Sequence, residues 1–476
     1  MKALIKTTFL IGSTEFILLV VALLKNKYLA VTIGPEGLGM YSLLNSFFSI
    51  ATIFSGTWLG SGLTKFASEY YTSNEKENLN ILFVISAAFT LTIGAISVGS
   101  FILFKDFIID SFLSTEVLDI YYTLFSLSFL GSSLRSILLS FLAGVKAIKR
   151  ITYARIIIAV IEIISVGLLV YFFDLLGFFI SILVVSIAAA SILFSYSIKY
   201  VSIFFSFSNK ILPNIKKLMN FASISAFLGL VYFFATYYQR KLITLESSFT
   251  ELGIFQVGIA IIAYIGIALN GSDYYFYPKM SEKLDNKNLN LEINEYFSFT
   301  VVISAIICIG TILFGKLIII SLYSNQFKSL NEYLYIFVLA QFFNNTTGKV
   351  YGHLILGNAK LFAHSVASLL TSLSWVIIPF LLIKSIGILS VILSLIIGSL
   401  LTNLFRLVYS HINFDLIISL RNKKLLVLSL LGLLLSIISK DSNLLINLIL
   451  MISIIAFYIV FYRNELVLIK KRYYKK

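Results

Sequence analysis

The chain has 476 residues, of which 59% are hydrophobic and 12% are charged, and its mean hydropathy is +0.97. A soluble globular protein is about one quarter charged, so a water-soluble fold is excluded for most of this length. The net charge of +15 does not indicate nucleic-acid binding, because no hydrophilic basic domain is present to carry it.

The first apolar segment follows a short charged start, MKALIK, as it does in a signal peptide. The apolar run continues past signal-peptide length, and no small-residue cleavage site closes it. We therefore expect an uncleaved first membrane helix.

The rest of the chain repeats this pattern of long apolar runs. A membrane helix needs about 20 apolar residues, and the unbroken runs differ from the alternating segments of a β-barrel. The sequence therefore predicts an all-α polytopic membrane protein with about 14 spans, near residues 7–31, 38–64, 79–104, 116–143, 152–173, 176–198, 216–241, 251–277, 297–323, 331–355, 361–383, 386–410, 423–438 and 443–462.

The loops between these spans are short, and the longest polar stretch, residues 279–296, is an amphipathic connector. Membrane glycosyltransferases and polymerases generally need a sizeable hydrophilic catalytic loop. Cys308 lies in an apolar run and is predicted to be a packing residue. The histidines show no metal-ligand spacing. We therefore predict a transporter without catalytic residues, a metal or a cofactor.

Lysine and arginine residues in the loops predict the orientation of the chain. If the N-terminus is cytoplasmic, most of the 37 basic residues fall on the inner side. The basic segments on that side lie at 146–155, 199–217, 279–287, 421–424 and 470–476. Both termini are therefore predicted to be cytoplasmic.

An internal repeat relates the two halves of the chain. The segment KYLAVTIGPEGLGMYS from Lys27 aligns without a gap with KLITLESSFTELGIFQ from Lys241, an offset of 214 residues. The alignment pairs Leu38 with Leu252, Gly39 with Gly253, and Tyr41 with Phe255. An even number of predicted spans separates the segments, so the halves are expected to share one orientation and to be related by an axis along the membrane normal.

Four segments resemble a known family. GPEGLGMYSLLNSFFSI and GSGLTKFASEY resemble the first two spans of Wzx-type O-antigen and enterobacterial common-antigen flippases, YQRKLI resembles the end of their seventh span, and LGIFQVGIAIIAYIGIALNGSDYYFYPKMSE resembles their eighth. The similarity covers most of residues 7–410. It implies the polysaccharide branch of the multidrug/oligosaccharidyl-lipid/polysaccharide transporter superfamily, in a bacterial inner membrane.

The repeat and the resemblance together predict the domains. We expect two pseudo-symmetric six-helix lobes, residues 1–200 and 201–414, around a central cavity that opens alternately to each side. Residues 415–476 add a helix pair and a basic tail. Common-antigen flippases usually have twelve spans, whereas the superfamily also has fourteen-span members such as the lipid II flippases, so the count leaves the substrate open.

Several basic residues lie within or close to predicted spans, where a charge is costly and usually functional. Lys27, Arg240 and Lys241 depart from the positive-inside trend, and Arg135 lies deep in the fourth span. These four residues and Lys25 are the candidates for a cationic site that holds the pyrophosphate of an undecaprenyl-pyrophosphate-linked glycan. The alternative is that the lysines and Arg240 extend to the outer headgroups.

Acidic residues in the spans are candidates for ion coupling. Glu15, Glu162 and Asp273 could bind a proton or sodium ion to drive transport, with Asn270 as a polar partner of Asp273. The alternative is a structural ion pair, for example between Glu162 and Arg135.

The sequence therefore favours a flippase for lipid-linked O-antigen or related repeat units. Its partners are expected to be the lipid-linked oligosaccharide, membrane lipid and polysaccharide-assembly proteins, with no nucleic acid. A lipid II flippase or a drug/cation antiporter of the same superfamily is the first alternative. An O-antigen polymerase is a further alternative, although it predicts a large outer loop that this chain lacks.

Overall fold

The structure is a computed structural model that describes residues 2–55, 57–114, 117–201, 211–280 and 286–474. These residues form helices and contain no strand, which confirms the predicted all-α class. The α-helices in the described ranges are α1 (Lys2–Thr32), α2 (Gly34–Phe54), α3 (Gly60–Thr72), α4 (Lys76–Leu103), α5 (Lys105–Phe112), α6 (Asp119–Gly144), α7 (Ile148–Ser197), α8 (Ile211–Glu246), α9 (Phe249–Met280), α10 (Asn286–Leu313), α11 (Gly315–Leu322), α12 (Leu330–Phe343), α13 (Lys349–Gly357), α14 (Leu361–Ile386), α15 (Ile388–Phe414), α16 (Leu420–Ser439) and α17 (Leu444–Tyr474).

Three short helices of other types complete the list for the described part of the chain. They are two 3₁₀-helices, Thr57–Leu59 and Asn325–Phe327, and a π-helix, Asn344–Gly348, that joins α12 to α13.

The helices are those of a multi-pass membrane protein. Within the described ranges, 8 helices are long and apolar enough to cross a membrane, and the bent pair α1 and α2 raises the number to 9 if it forms one span. The described residues of each predicted span fall largely on one helix or on consecutive helices, and residues 56 and 116 of these spans lie outside the described ranges. The count of 14 crossings stays a prediction.

The fifth and sixth predicted spans lie on α7, which is broken at one residue. Asp174 has φ 48° and ψ −128°, which no α-helix contains. A Cβ on Gly177 would lie 1.9 Å from the carbonyl oxygen of Leu169, so the chain folds back closely at this point. The two predicted spans are therefore two helices joined by a tight turn.

The chain forms two compact units. Unit 1 contains Met1–Gln256 and Pro379–Ile388, and unit 2 contains Val257–Ile378 and Leu389–Lys476. In unit 1, α8 packs against α2, α3 and α4. The predicted lobe boundaries at residues 200 and 414 stay a prediction.

The predicted C-terminal helix pair is part of unit 2. Both α16 and α17 contact α10. The buried side chain of Asn422 on α16 donates hydrogen bonds to the backbone and side-chain oxygens of Asn294, both at 2.9 Å. It also accepts one from Ser298 at 2.5 Å. A satisfied buried amide fixes the register of the two helices.

Candidate functional site

The two predicted repeat segments meet at a pair of glycines on α2 and α9. A Cβ on Gly39 would lie 2.0 Å from the carbonyl oxygen of Phe249, and one on Gly253 would lie 1.9 Å from that of Pro35. Pro35 and Phe249 also occupy equivalent positions in the gap-free alignment. The contact is therefore reciprocal, as expected for two copies of one motif that face each other across a pseudo-two-fold axis.

A buried hydrogen-bonded cluster lies one helical turn further along these helices. Ser42, which is 2% exposed, donates to Oε1 of Gln256 at 2.8 Å. These two residues are again equivalent in the alignment. Arg240 on α8 donates from Nε to Ser42 at 2.9 Å and from a terminal nitrogen to the same Gln256 oxygen at 3.1 Å. We call Ser42, Arg240 and Gln256 the Arg240 cluster.

The guanidinium of Arg240 has only neutral partners in the described chain. Its third hydrogen bond goes to the backbone carbonyl of Thr236 at 3.0 Å, and no described carboxylate lies within ion-pair distance. A partly buried cation without a matching carboxylate attracts an anion. The anion-binding role of Arg240 stays a prediction.

Two other predicted residues form an ion pair close to the Arg240 cluster. Lys25 on α1 contacts Glu162 on α7 at 2.6 Å. Tyr41 interacts electrostatically with both members of this pair and with Arg240, so the structure brings these predicted residues into one neighbourhood. Glu162 therefore forms an ion pair, as the alternative expected, but its partner is Lys25 and not Arg135, which is exposed on α6.

Glu15 and Lys27 lie elsewhere on α1. Glu15 pairs with Arg155 on α7 at 2.5 Å, so α1 and α7 are joined by two ion pairs. Lys27 is half-buried near the C-terminal end of α1.

Lys241 contacts the end of a short helix. Its ammonium group donates to the backbone carbonyl of Leu113, and Tyr237, one turn earlier on α8, donates to that of Phe112 at 2.5 Å. Both acceptors lie at the C-terminus of α5, where carbonyls lack partners within the helix. The structure thus gives Lys241 a capping role, while its part in a pyrophosphate site stays a prediction.

The predicted acid of the eighth span, Asp273, lies in a polar network in unit 2. It pairs with Lys349 on α13 at 3.0 Å and accepts a hydrogen bond from Tyr296 at 3.0 Å. Lys349 also donates to Oδ1 of Asn270 at 3.2 Å, so the two predicted residues share one ammonium group. His353 lies 3.1 Å from the Tyr296 hydroxyl.

This network borders a cavity of 360 Å³ within unit 2. Asn270, Lys349 and His353 line it, together with Arg406 on α15 and residues of the π-helix. A π-helix often marks a functional site because it leaves backbone groups outside the regular hydrogen-bond ladder. Here the carbonyl of Gly348 accepts a hydrogen bond from Arg406 at 3.1 Å.

Sequence reasoning missed Lys349 and Arg406 as site residues. Both are basic residues inside predicted spans. The rule that an ionisable residue in a span is usually functional was sufficient to select Arg135 and Arg240. The spacing of Lys349 and His353, four residues apart on one helix, also indicates a shared face.

Comparisons with known proteins agree with this fold. A family model described as "Polysaccharide biosynthesis protein" matches residues 28–332. The chain is 23% identical over 372 residues to the lipid III flippase of Escherichia coli (strain K12), an alignment that covers 75% of this chain and 86% of that protein. The same values apply to the lipid III flippase of Shigella flexneri.

Solved transporter structures share the fold. The structure titled lipid II flippase MurJ, inward closed conformation, has a TM-score of 0.75 at 17% identity, covering 96% of this chain and 99% of that chain. An inward-facing multidrug resistance MATE family transporter of the MOP superfamily has a TM-score of 0.71 at 14% identity, covering 86% and 96%. The family model and the lipid III flippases confirm the predicted resemblance, and the solved structures show that the fold is shared.

Proposed function

Because the chain belongs to the polysaccharide biosynthesis protein family, we propose that it is a flippase for undecaprenyl-pyrophosphate-linked O-antigen or related polysaccharide repeat units. It moves them from the cytoplasmic to the periplasmic face of the bacterial inner membrane by alternating access. Its distant relatives named lipid III flippases support a lipid-linked substrate. No bond is made or broken in this activity, so the protein is a transporter and has no catalytic residue.

The observation that carries the proposal is the environment of Arg240. Its guanidinium is held by the neutral groups of Ser42, Gln256 and Thr236. The planar fork of arginine suits the oxygens of a phosphate. In this proposal Arg240 binds the pyrophosphate, Lys25, Lys27, Lys241 and Arg135 add positive potential, and the lipid tail stays in the membrane.

The substitution Gln256→Glu tests this role without removing volume. The new carboxylate keeps both hydrogen bonds that Gln256 accepts and forms an ion pair with Arg240. We expect unchanged or raised thermal stability and a loss of about tenfold or more in transport, since one charged hydrogen bond to the substrate is lost. The measurement is rescue of surface glycan in a flippase-null bacterium that carries the matching glycan pathway.

Two further variants complete the comparison at matched expression. Arg240→Gln removes the charge and is expected to lose transport, whereas Lys76→Gln removes an exposed charge at the start of α4 and is expected to rescue fully. Full rescue by both Gln256→Glu and Arg240→Gln would show that the Arg240 cluster is not part of the substrate site. Absence of rescue by the wild type with every O-antigen pathway tried would favour another substrate.

Ion coupling is part of the proposal. Glu15, Glu162 and Asp273 each pair with a basic residue, at 2.5, 2.6 and 3.0 Å. Binding of a proton or sodium ion to one of these carboxylates would weaken its pair and release the helix that carries it. Collapse of the proton gradient and of the sodium gradient, separately, in transport assays would identify the ion.

The alternative substrates within the superfamily are lipid II and cationic drugs. Lipid II also carries a pyrophosphate, so the Arg240 cluster suits it equally. Rescue of a strain depleted of its lipid II flippase would favour that alternative. Drugs of positive charge are disfavoured because Arg240 repels them.

A further inference from the structure

Three residues that line the cavity in unit 2 carry a buried nitrogen atom without a hydrogen-bond partner in the described structure. Nε of Arg406, Nδ2 of Asn345 and Nδ1 of His364 are buried and lack a partner. All three residues line the cavity. Buried donors are paired in most proteins, because leaving one unpaired is costly. Two such donors, together with a histidine nitrogen that donates in one of its tautomers, therefore indicate a ligand that accepts hydrogen bonds.

The surrounding helices fix the direction of these donors. Asn345 is 3% exposed, and its Oδ1 accepts a hydrogen bond from Gln341 at 2.8 Å, which leaves Nδ2 as the unused end of the amide. Arg406 lies against the backbone of α13, where a Cβ on Gly352 would be 3.5 Å from its terminal nitrogen. The donors are thus held in place before any ligand arrives.

The charge of the cavity is positive. Arg406 has no carboxylate within ion-pair distance in the described chain, and its terminal nitrogen donates to the neutral carbonyl of Gly348 at 3.1 Å. Lys349 is held by Asp273, which does not itself line the cavity. A metal cation or a cationic drug would be repelled by Arg406 and Lys349, whereas an oxyanion would pair with both.

We propose that the unit 2 cavity binds an oxyanion of the phosphate class, with Arg406, Lys349 and Asn345 as its ligands. The volume of 360 Å³ accommodates such a group. The site shares no residue with the Arg240 cluster. It can be measured on a chain that transports nothing, so it does not depend on the proposed flippase activity.

Binding of inorganic pyrophosphate to the purified full chain tests the proposal. Isothermal titration calorimetry in detergent, at fixed ionic strength, is expected to show binding by the wild type. Arg406→Gln and Asn345→Asp are expected to weaken it by about tenfold or more, since each removes a donor or adds a repelling charge. Lys316→Gln, an exposed lysine of α11 outside the cavity, is the matched control and is expected to bind as the wild type does.

Asn345→Asp keeps the volume of the side chain and the acceptor used by Gln341, so it remains informative if Arg406→Gln fails to fold. The proposal is overturned if the wild type does not bind pyrophosphate. It is also overturned if a folded Asn345→Asp or Arg406→Gln variant binds as tightly as the wild type.

The same assay separates two sources of the phosphate group. Competition by geranyl pyrophosphate assigns the cavity to a lipid-linked phosphate. Competition by inorganic phosphate alone assigns it to a free anion. Both results support an oxyanion site, and the difference between them shows whether the anion bound in the cell is lipid-linked or free.

Discussion

At the scale of single residues, Gly39 and Gly253 allow two helices to touch. The carbonyl oxygens of Phe249 and Pro35 occupy the positions that a Cβ would need. Even alanine is therefore too large on either side, and the backbones must separate to admit it. Because α2 and α9 also carry Ser42 and Gln256, a shift here would pull the Arg240 cluster apart.

We expect Gly39→Ala and Gly253→Ala each to lower stability by about 1–3 kcal/mol, the usual cost of overpacking. Thermal unfolding in detergent measures the change. Gly99→Ala is the control, because a Cβ on Gly99 meets nothing within 4 Å and alanine favours a helix. Equal unfolding temperatures for all three variants would contradict the close crossing.

The residues of the candidate sites could be predicted in part. The rule that ionisable groups in a span are functional selected Arg240 and Asp273. It did not reveal the partners of either residue. The acceptor of Arg240, Gln256, lies 16 residues away on another helix, and Asp273 meets Lys349 only through the packing of α9 against α13.

At the scale of elements, α8 caps α5. Lys241 and Tyr237 donate to the carbonyls of Leu113 and Phe112. A cation at a helix C-terminus also interacts favourably with the helix dipole. This contact gives Lys241 a structural role beside the positive potential that we propose for it at the pyrophosphate site.

We expect Lys241→Met to lower stability by about 1 kcal/mol, from loss of the cap and of the dipole interaction. Tyr237→Phe should cost a similar amount, about 1 kcal/mol, because it leaves a carbonyl unpaired. Thermal unfolding of the two single variants and of the double variant measures how much the Lys241 contact and the Tyr237 contact each contribute to stability. A Lys241→Met variant that keeps its stability and loses transport would instead place Lys241 in the substrate site.

The turn within α7 depends on the backbone of Asp174. Its φ of 48° and ψ of −128° lie in a region that glycine adopts readily and other residues rarely do. The residue therefore holds strain at the turn between the two helices.

Asp174→Gly should relieve this strain and raise stability by about 1 kcal/mol. Asp174→Ala serves as the control, since it removes the carboxylate without giving the backbone more freedom. Comparison of their unfolding temperatures isolates the backbone effect. A larger gain from Asp174→Ala than from Asp174→Gly would show that the carboxylate, not the backbone, is unfavourable.

At the scale of the whole molecule, the distribution of lysine and arginine predicts the side of each loop. Ser73, between α3 and α4, is expected on the cytoplasmic side, and Asp110 on α5 is expected on the periplasmic side. Both are exposed, whereas the natural cysteine, Cys308, is buried. Single cysteines can therefore report the orientation.

In a Cys308→Ala background, a membrane-impermeant maleimide should label Asp110→Cys in intact spheroplasts. It should label Ser73→Cys only after permeabilisation. The opposite pattern would invert the predicted topology and place the N-terminus outside.

The sequence by itself determined the membrane class and the helical fold, and it predicted the positions of the spans and the repeat. These follow from the length of apolar runs and from residue identities at a fixed offset, which are properties of the chain in one dimension. The repeat also identified Gly39 and Gly253 as equivalent before their contact was visible.

Only the tertiary structure decided which charges are matched. Lys25 and Glu162 are 137 residues apart, and Ser42 and Gln256 are 214 residues apart. Such pairs depend on how helices from distant parts of the chain pack. Packing therefore pairs Lys25 with a carboxylate, leaves Arg240 among neutral groups, and gathers Asn345, Lys349 and Arg406 around one cavity.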